Sequence, residues 1–402
     1  MKKTDVAIIG AGASGIACAC ALGKRGKNVS LFEMSDRVGK KILVTGNGKC
    51  NLSNLFSDEK AYNENASDLI KILYSKYNSQ YVIDFFNNIG LLTKAEKDGR
   101  VYPLCKQASA VLSVLRNELK RQGVDEICNA KIKNIKSVDG GFEITLESEK
   151  YFAKQVVVAT GGKADYAGRE NKNSQSVFDM LNLKTNTLSP TLSPVLVDSP
   201  YIKMLKGIRA DGKVTLYKNG KEIKSETGEI QFTANALSGI CVFNLSRIAN
   251  RYDDCFIRVS LLHDYSFAEL KALLKSRIKL VEKENVTEIF TGLFHKNIAL
   301  ALLKYTDIPT NISANKLNEK DIEKLANAIN EFDFVCKKKT DFSNAQATSG
   351  GIDTKLINPN TFELKDKKGV FIIGEALDVD GDCGGYNLQF AFASGLCAGE
   401  NL

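Results

Sequence analysis

The first 33 residues form a strand–turn–helix–strand pattern with a glycine-rich turn. An apolar run at residues 4–9 enters the turn, small residues in a helical pattern cover residues 13–25, and a second apolar run covers residues 28–33. The turn contains glycines in GxGxxG spacing, Gly10, Gly12 and Gly15. The first glycine permits a tight turn, the second lets the backbone approach a pyrophosphate, and the third lets the helix pack closely on the sheet. The pattern therefore predicts a Rossmann-type unit that binds a dinucleotide.

An acidic residue at the end of the second apolar run narrows the kind of dinucleotide. Glu33 lies 18 residues after Gly15, where a carboxylate accepts hydrogen bonds from ribose hydroxyls. This carboxylate would repel a 2′-phosphate, whereas the start of the helix offers free N–H groups and a partial positive charge to a pyrophosphate. We therefore expect FAD or NAD rather than NADP.

Three later segments favour a flavin over a simple nicotinamide cofactor. Residues 46–51 (GNGKCN) form a glycine-rich polar loop whose exposed backbone can line a pyrophosphate and an isoalloxazine. Residues 154–162 (KQVVVATGG) have the continuous apolar pattern of a buried parallel strand that ends at the ligand. Near the C-terminus, an apolar strand at residues 369–373 leads through an acidic loop to a helix that starts near Asn387.

The acidic loop at residues 378–382 (DVDGD) has two interpretations. In the first, Asp378 hydrogen-bonds ribityl hydroxyls, and the helix after Gly384 and Gly385 directs its N-terminus at the flavin pyrimidine edge, which stabilises negative charge on the reduced flavin. In the second, the alternating acids are part of a calcium loop. That loop would need a glutamate six residues after the glycine, which this sequence lacks. We therefore expect no metal site.

Composition sets the broad class of the protein. The 402 residues predict two or three domains. The net charge of +8 is spread along the chain without a basic block, so nucleic-acid binding is not favoured. The ten cysteines show no regular framework and no secretory signal precedes them, which indicates reduced thiols and a cytoplasmic protein. No apolar stretch is long enough to predict a membrane span.

Motifs along most of the chain resemble the YhiN/BaiN-like flavoproteins, also called the BaiN/RdsA NAD(P)/FAD-dependent oxidoreductases. The resemblance rests on these segments: AIIGAGASG, GKKILVTGNGKCNLSN, GRVYPLCKQASAVLSVL, VVVATGG, GEIQFTANALSGICVFNLSR, QATSGGID and GEALDVDGDCGGYNLQFAFASG. It implies an α/β fold in which a Rossmann-like, glutathione-reductase-like FAD-binding domain is discontinuous, at residues 1–188 and 340–402. The insert at residues 189–339 is then expected to be β-rich over about 189–250 and helical over about 260–335.

The motifs and the resemblance together give a set of candidate FAD contacts. These are Gly10, Gly12, Ala13, Ser14, Gly15, Glu33, Met34, Lys40, Lys41, Gly46, Asn51, Lys131, Ile132, Ala159, Thr160, Gly161, Gly374, Glu375, Asp378, Gly385, Tyr386, Asn387, Leu388 and Gln389.

The expected reaction is hydride transfer between flavin N5 and a small organic substrate. The resemblance implies an enone reductase or an amine oxidase, and a flavoprotein that acts on or binds RNA, or a noncatalytic flavin-binding protein, is the alternative. No second GxGxxG lies between a strand and a helix, so if NAD(P)H is the electron donor, it is expected to dock transiently or on the insert. Two segments depart from the family pattern, KADYAGRENKNSQ after VVVATGG and FTANALSGI, and they leave the identity of the substrate open. The oligomeric state is also open.

No residue is assigned to acid–base catalysis. His263 and His295 are interpreted as structural or exposed, and Cys50 is interpreted as packing rather than as a thiol with a lowered pKa, because no partner gives a CxxC pair. Tyr386 is expected either to contact the flavin or to donate a proton.

The middle of the chain carries two structural patterns. The turn at Asn219 and Gly220 between strand-like runs predicts a β-hairpin. Residues 266–285 and 316–331 have helical periodicity with charged faces, as in solvated helices that cover an active site.

Overall fold

A computed structural model describes residues 1–165, 171, 173–252 and 254–402. Its strands are β1 (Lys2–Ile9), β2 (Val29–Phe32), β3 (Ser53–Asn54), β4 (Thr93–Ala95), β5 (Arg100–Pro103), β6 (Asp125–Ile127), β7 (Asn134–Val138), β8 (Gly141–Thr145), β9 (Lys150–Val158), β10 (Ser189–Thr191), β11 (Val195–Asp198), β12 (Arg209–Lys218), β13 (Lys221–Phe232), β14 (Ala236–Ser238), β15 (Cys255–Ser260), β16 (Phe332–Cys336), β17 (Ala347–Ser349) and β18 (Val370–Ile372).

The α-helices are α1 (Ala13–Lys24), α2 (Ser67–Tyr74), α3 (Ser79–Asn88), α4 (Ala108–Arg121), α5 (Asn173–Met180), α6 (Ile240–Ala249), α7 (Phe267–Leu280), α8 (Lys296–Tyr305), α9 (Glu319–Asn330) and α10 (Tyr386–Asn401). Contacts divide the chain into two compact units. The first contains Met1–Ser189 and Phe342–Leu402, and the second contains Pro190–Asp341.

The first unit is built on a mixed sheet with a parallel centre. Its strand order is β6-β2-β1-β9, with β18 beside the last residues of β9 and the antiparallel strands β8 and β7 continuing from the first residues of β9. All four residues of β2 are buried, and Val156, Val157 and Val158 of β9 have no exposed surface. Continuous apolar strands of this kind are expected where helices cover both faces of a parallel sheet.

The register of the parallel strands brings the predicted site segments to one edge of the sheet. Ile9 at the end of β1 pairs with Phe32 of β2 and with Val158 of β9. Val158 also pairs with Ile372 at the end of β18. The carboxyl ends of neighbouring parallel strands are where α/β sheets bind ligands. The glycine turn, Glu33, the ATGG segment and Gly374 therefore follow strands that end side by side.

A small antiparallel sheet lies in the same unit, in the order β3-β5-β4. Its short strands follow the GNGKCN loop and carry the GRVYP motif. Asn54 of β3 donates from Nδ2 to the carbonyl of Gly384 at 2.9 Å, which connects this sheet to the C-terminal glycine loop.

The second unit contains a closed barrel in the order β11-β14-β13-β12-β15-β16, together with α6 to α9. The predicted hairpin is confirmed, because β12 and β13 pair on either side of Asn219 (φ +50°) and Gly220 (φ +72°). The two predicted helical segments are confirmed as α7 and α9, each of which begins with a capping box.

One expectation about the insert is wrong in its limits. The β part does not end near residue 250, because β15 and β16, at residues 255–260 and 332–336, close the barrel. Without them β11 and β12 would each expose an unpaired edge, and closure removes such edges. Across the part of the chain that the structure describes, no helix is both long enough and apolar enough to span a bilayer.

Candidate functional site

The three glycines of the first turn have different surroundings. Gly10 has φ +106°, and a Cβ there would lie 2.3 Å from the carbonyl oxygen of Ala159. A Cβ on Gly15 would lie 2.0 Å from the carbonyl oxygen of Gly10, so α1 packs on the turn only through glycine. A Cβ on Gly12 would meet no described atom within 4 Å. Gly12 thus faces open space, as required where a ligand approaches the backbone.

The start of α1 supplies hydrogen-bond donors beside this turn. The first intrahelical bond runs from the amide of Ile16 to the carbonyl of Gly12 at 3.0 Å, so the amides of Ala13, Ser14 and Gly15 have no intrahelical acceptor. Together with the positive end of the helix dipole, they form the kind of site that binds a phosphate.

Glu33 follows β2 at the same edge and is held by backbone donors. Its Oε2 accepts from the amide of Ala11 at 3.1 Å and its Oε1 accepts from the amide of Ser35 at 2.8 Å. Each carboxylate oxygen keeps capacity for a further hydrogen bond. The carboxylate therefore lies beside the glycine turn and can still accept from ribose hydroxyls.

The segment that precedes β7 lies against the main chain of Glu33. The amide of Ala130 donates to the carbonyl of Glu33 at 2.8 Å. The next residue, Lys131, is exposed and Ile132 is buried. Met34 is also exposed. These candidates, which are distant in sequence, thus lie close together.

The predicted lysines lie in the loop after β2 and have carboxylate partners. Lys41 donates from Nζ to Glu375 Oε2 at 2.7 Å and to the carbonyl of Ala164 at 2.8 Å. Glu375 in turn accepts from the amide of Thr348 at 2.7 Å through Oε1. Lys40 pairs with Asp36. Lys41 and Glu375 therefore form an ion pair. Glu375 also lies beside Gly161, since a Cβ on Gly161 would lie 3.9 Å from Glu375 Oε2.

Strand β9 ends at Val158, before the ATGG residues, which turn away from the sheet. Ala159 is buried against Gly10, and Gly161 has φ +73°. The Oγ1 of Thr160 is buried and has no hydrogen-bond partner among the described atoms. A buried hydroxyl of this kind is expected to meet a polar partner when the site is filled.

The C-terminal helix α10 presents a second set of free amides. Gly385 precedes it with φ +99°, and the first intrahelical bond runs from the amide of Gln389 to the carbonyl of Gly385 at 2.9 Å. The amides of Tyr386, Asn387 and Leu388 consequently have no intrahelical acceptor. Asn51 lies against this helix start, since a Cβ on Gly385 would lie 2.7 Å from its Oδ1.

Three predicted polar side chains are hydrogen-bonded to other groups of the protein. Asp378 is buried and accepts from the amide of Gly350 at 3.0 Å and from Asn186 Nδ2 at 2.7 Å. Asn387 exchanges two 2.9 Å hydrogen bonds with the backbone of Gly381. Gln389 accepts from Ser53 Oγ at 2.6 Å. These side chains hold the acidic loop and α10 in place, and the amides at the helix start remain to contact a ligand.

The two ends of the chain pack together in the first unit. A Cβ on Gly374 would lie 2.4 Å from Ser14 Oγ, and a Cβ on Gly395 would lie 2.3 Å from the carbonyl oxygen of Ser14. Arg25 at the end of α1 donates to the carbonyl of Gly399 at 3.0 Å. The glycine turn and the C-terminal helix therefore pack against each other.

The residues of this site fit FAD. The open backbone at Gly12 and the free amides of α1 suit a pyrophosphate, and Glu33 suits a ribose. Asn51 Oδ1, like Thr160 Oγ1, is buried without a hydrogen-bond partner in the described structure, and it lies at the start of α10, where a flavin ring edge would supply donors and acceptors.

The residues considered for catalysis have structural surroundings. His295 is the N-cap of α8 and accepts from the amide of Asn297 at 3.2 Å, as expected for a structural histidine. His263 lies 3.4 Å from the exposed Asp264. Cys50 is fully buried, and burial raises the pKa of its thiol to about 12, so the packing interpretation is confirmed. Within the described ranges, no cluster of His, Cys, Asp or Glu side chains is arranged to hold a metal ion.

Sequence reasoning missed several residues that shape the site. Tyr62 donates from its hydroxyl to the carbonyl of Tyr386 at 2.8 Å, and Asn186 and Ser53 hold Asp378 and Gln389. Each lies far from its partner in sequence, and although Ser53 falls within the GKKILVTGNGKCNLSN segment, no local pattern shows which residue it pairs with. Within the KADYAGRENKNSQ departure (residues 163–175), residues 166–170 and 172 lie outside the described residues.

Comparison with known proteins places this site in a family. The sequence model of a protein family, described as the HI0933-like protein Rossmann domain, matches residues 4–401. A relative from Clostridium scindens, 3-dehydro-bile acid delta(4,6)-reductase, is 33% identical over 406 residues, which cover 98% of each chain. Ribosomal RNA dihydrouridine synthase from Escherichia coli is 24% identical over 406 residues, which cover 100% of this chain and 98% of that protein. A solved structure, 3-ketosteroid-delta4-(5alpha)-dehydrogenase from Rhodococcus jostii, has a TM-score of 0.49 and 13% identity, covering 100% of this chain and 96% of that one.

Proposed function

The chain belongs to the HI0933-like family and is a Rossmann-fold FAD-dependent oxidoreductase, and from that premise we propose that it reduces a carbon–carbon double bond conjugated to a carbonyl group in a small organic molecule. The observation that carries the proposal is the match to a delta(4,6)-reductase of a 3-dehydro bile acid, which extends over 98% of both chains. The product named for the second relative, dihydrouridine, likewise differs from uridine by saturation of a double bond conjugated to a carbonyl. This shared chemistry favours enone reduction over amine oxidation.

Bound FAD would supply the hydride-transfer chemistry, and the protein supplies binding, orientation and charge. The amides of Ala13, Ser14 and Gly15 would hold its pyrophosphate, and Glu33 would hold a ribose. The amides at the start of α10 lie where negative charge on the ring would be stabilised. NAD(P)H acts as a transient electron donor rather than as a resident cofactor.

Tyr386 is the candidate for a proton donor to the substrate. It is half-buried, and burial, together with the nearby Asp382 and Asp58, raises the pKa of its hydroxyl. A tyrosine hydroxyl is protonated at neutral pH even without this shift, so it can donate a proton, and the raised pKa makes it a weaker acid. The second proposed role of Tyr386, contact with the flavin ring, is compatible with the same position at the start of α10.

The test is a single-turnover experiment with the purified, flavin-loaded protein. Reduced under anaerobic conditions, it is mixed with an unsaturated 3-keto steroid or bile acid, and the flavin absorbance and the product mass are followed. We expect reoxidation of the flavin with gain of two hydrogens by the substrate. The matched control is the saturated 3-keto compound, which should leave the flavin reduced. Absence of bound FAD, or reoxidation by neither enones nor dienones, would refute the proposal.

A second candidate function is reduction of uridine in RNA, and the match to ribosomal RNA dihydrouridine synthases favours it. The same reduced protein is mixed with a ribosomal RNA transcript, and its nucleosides are analysed for dihydrouridine. Dihydrouridine formation without turnover of the enone would replace the small-molecule proposal with this one.

A further inference from the structure

Two tyrosines connect to the start of α10, one directly and the other through the first. Tyr62 is 4% exposed and Tyr74 is half-buried. The ring of Tyr62 meets that of Tyr386 at 6.2 Å with an interplanar angle of 81°, and that of Tyr74 at 5.9 Å and 68°. The two hydroxyls of Tyr62 and Tyr74 are hydrogen-bonded to each other. Neither residue belongs to a motif that the nucleotide site uses.

The direction of these hydrogen bonds follows from proton counting. The Tyr62 hydroxyl donates its single hydrogen to the carbonyl oxygen of Tyr386 at 2.8 Å. It must therefore accept the hydrogen of Tyr74. The chain of donors runs from Tyr74 through Tyr62 to the carbonyl of Tyr386. Burial raises the pKa of both phenols well above the usual value, so both keep their protons.

The carbonyl that ends this chain belongs to the same peptide group as the amide of Asn387. That amide is one of the free donors at the start of α10. The buried Oδ1 of Asn51, which has no partner in the described structure, lies close to Gly385 in the same helix start. A hydrogen bond to the carbonyl oxygen of a peptide polarises its N–H group, because hydrogen bonds in series strengthen one another at low dielectric. The tyrosines thus increase the partial positive charge that the helix start presents.

We propose that Tyr62 and Tyr74 are positioning residues that raise the reduction potential of FAD, through the peptide group between Tyr386 and Asn387. Reduced flavin carries more negative charge than oxidised flavin, and a stronger donor at its edge stabilises the reduced form more. The inference rests on the FAD site of the proposed function, but it does not depend on the identity of the substrate.

The geometry around Tyr62 supports a role in orientation as well as charge. A Cβ on Gly381 would lie 3.0 Å from Tyr62 Cε1, and the amide of Asp382 donates to the carbonyl of Ala61 at 2.8 Å. Tyr62 is therefore packed between the acidic loop and the first turn of α10. Its hydroxyl cannot turn away from Tyr386 without disturbing both.

The experiment measures the reduction potential of bound FAD in the wild-type holoprotein and in Tyr62→Phe, Tyr74→Phe and Tyr81→Phe. Tyr81→Phe is the matched control, because its hydroxyl bonds Glu400 at the opposite end of the same helix. We expect Tyr62→Phe to weaken binding of reduced FAD about fivefold relative to oxidised FAD, which at about 30 mV per tenfold lowers the two-electron potential by about 20 mV. Tyr74→Phe should give a smaller shift of the same sign, and Tyr81→Phe none.

The outcomes separate this inference from the proposed function. Unchanged potentials in Tyr62→Phe and Tyr74→Phe, with FAD bound, overturn the inference and leave the proposed function intact. A wild-type protein without FAD overturns both. If Tyr62→Phe does not fold, Tyr74→Phe decides, because it leaves the bond to Tyr386 in place. A shift as large in Tyr81→Phe as in Tyr62→Phe also overturns the inference, because it would show a general effect on the helix.

Discussion

At the scale of single residues, the site combines backbone features that the sequence predicts with side-chain partners that it does not. The roles of Gly10, Gly12 and Gly15 follow from their spacing, because a turn of this kind has few solutions. The partners of Gln389 do not follow, because Ser53 lies 336 residues away in sequence. Gln389 is among the expected cofactor contacts, and its side-chain oxygen also fixes α10 by accepting from Ser53 Oγ. Long-range polar pairs of this kind carry no local pattern and appear only in the folded chain.

The different surroundings of Gly12 and Gly15 give a prediction at this scale. Gly12 has φ −84°, which alanine adopts without strain, and the methyl group would meet no described atom. We expect Gly12→Ala to change the free energy of unfolding of the apoprotein by less than about 1 kcal/mol, because the lower entropy of the unfolded chain is offset by the poorer N-cap propensity of alanine at this position. It should weaken FAD binding more than about tenfold by blocking approach of the pyrophosphate. Fluorescence titration with FAD and denaturant unfolding measure the two quantities.

Gly15→Ala is the matched comparison, because its methyl group would lie 2.0 Å from the carbonyl oxygen of Gly10. It should destabilise the apoprotein by at least about 2 kcal/mol. A Gly12→Ala protein that binds FAD like the wild type would show that no pyrophosphate approaches this turn.

At the scale of elements, the contact between α1 and α10 joins the two ends of the site. Small residues allow the helices to approach, with Gly395 against Ser14 and Gly399 against Ala21. The sequence predicted both helices from their glycine-rich starts. It did not predict β15 and β16 as barrel strands, because their pairing partners are distant, with Ile257 opposite Phe334. Local periodicity identifies a helix, whereas a short strand is defined by its partner.

The close approach of these two helices predicts the effect of one added methyl group. In Gly395→Ala the Cβ would lie 2.3 Å from the carbonyl oxygen of Ser14, so α1 and α10 must move apart. We expect a loss of at least about 2 kcal/mol in the free energy of unfolding, together with weaker FAD binding, because both sets of free amides lie at the starts of these helices. Thermal unfolding with and without FAD measures both effects. Gly12→Ala, which adds a methyl group near the same helices in open space, is the control, and equal stability losses in the two variants would contradict the packing argument.

At the scale of the whole molecule, the nucleotide site belongs to a unit assembled from residues 1–189 and 342–402. The glycine motifs at both ends of the chain predict from the sequence that its two ends belong to the same unit. The residues at which the chain leaves and re-enters this unit depend on contacts that only the folded chain makes. The net charge of +8 is likewise a property of the whole chain, and many lysines are paired with carboxylates, as Lys154 is with Asp5 and Lys271 with Glu319 and Glu323.

This distribution of charge predicts how the protein responds to RNA. Binding that depends on phosphate contacts weakens with salt in proportion to the number of phosphates neutralised. Many lysine and arginine side chains are paired with carboxylates and the positive charge is diffuse, so few phosphates should be neutralised. In a plot of the logarithm of the RNA association constant against the logarithm of salt concentration, we expect a slope no steeper than about −2. The measurement is fluorescence anisotropy with a labelled ribosomal RNA fragment over a range of salt concentrations. A neutral enone substrate, titrated in the same buffers, is the control and should show almost no dependence. A slope of about −4 or steeper would require a dedicated phosphate-binding surface, and would make reduction of uridine in RNA the better account of what this flavin site does.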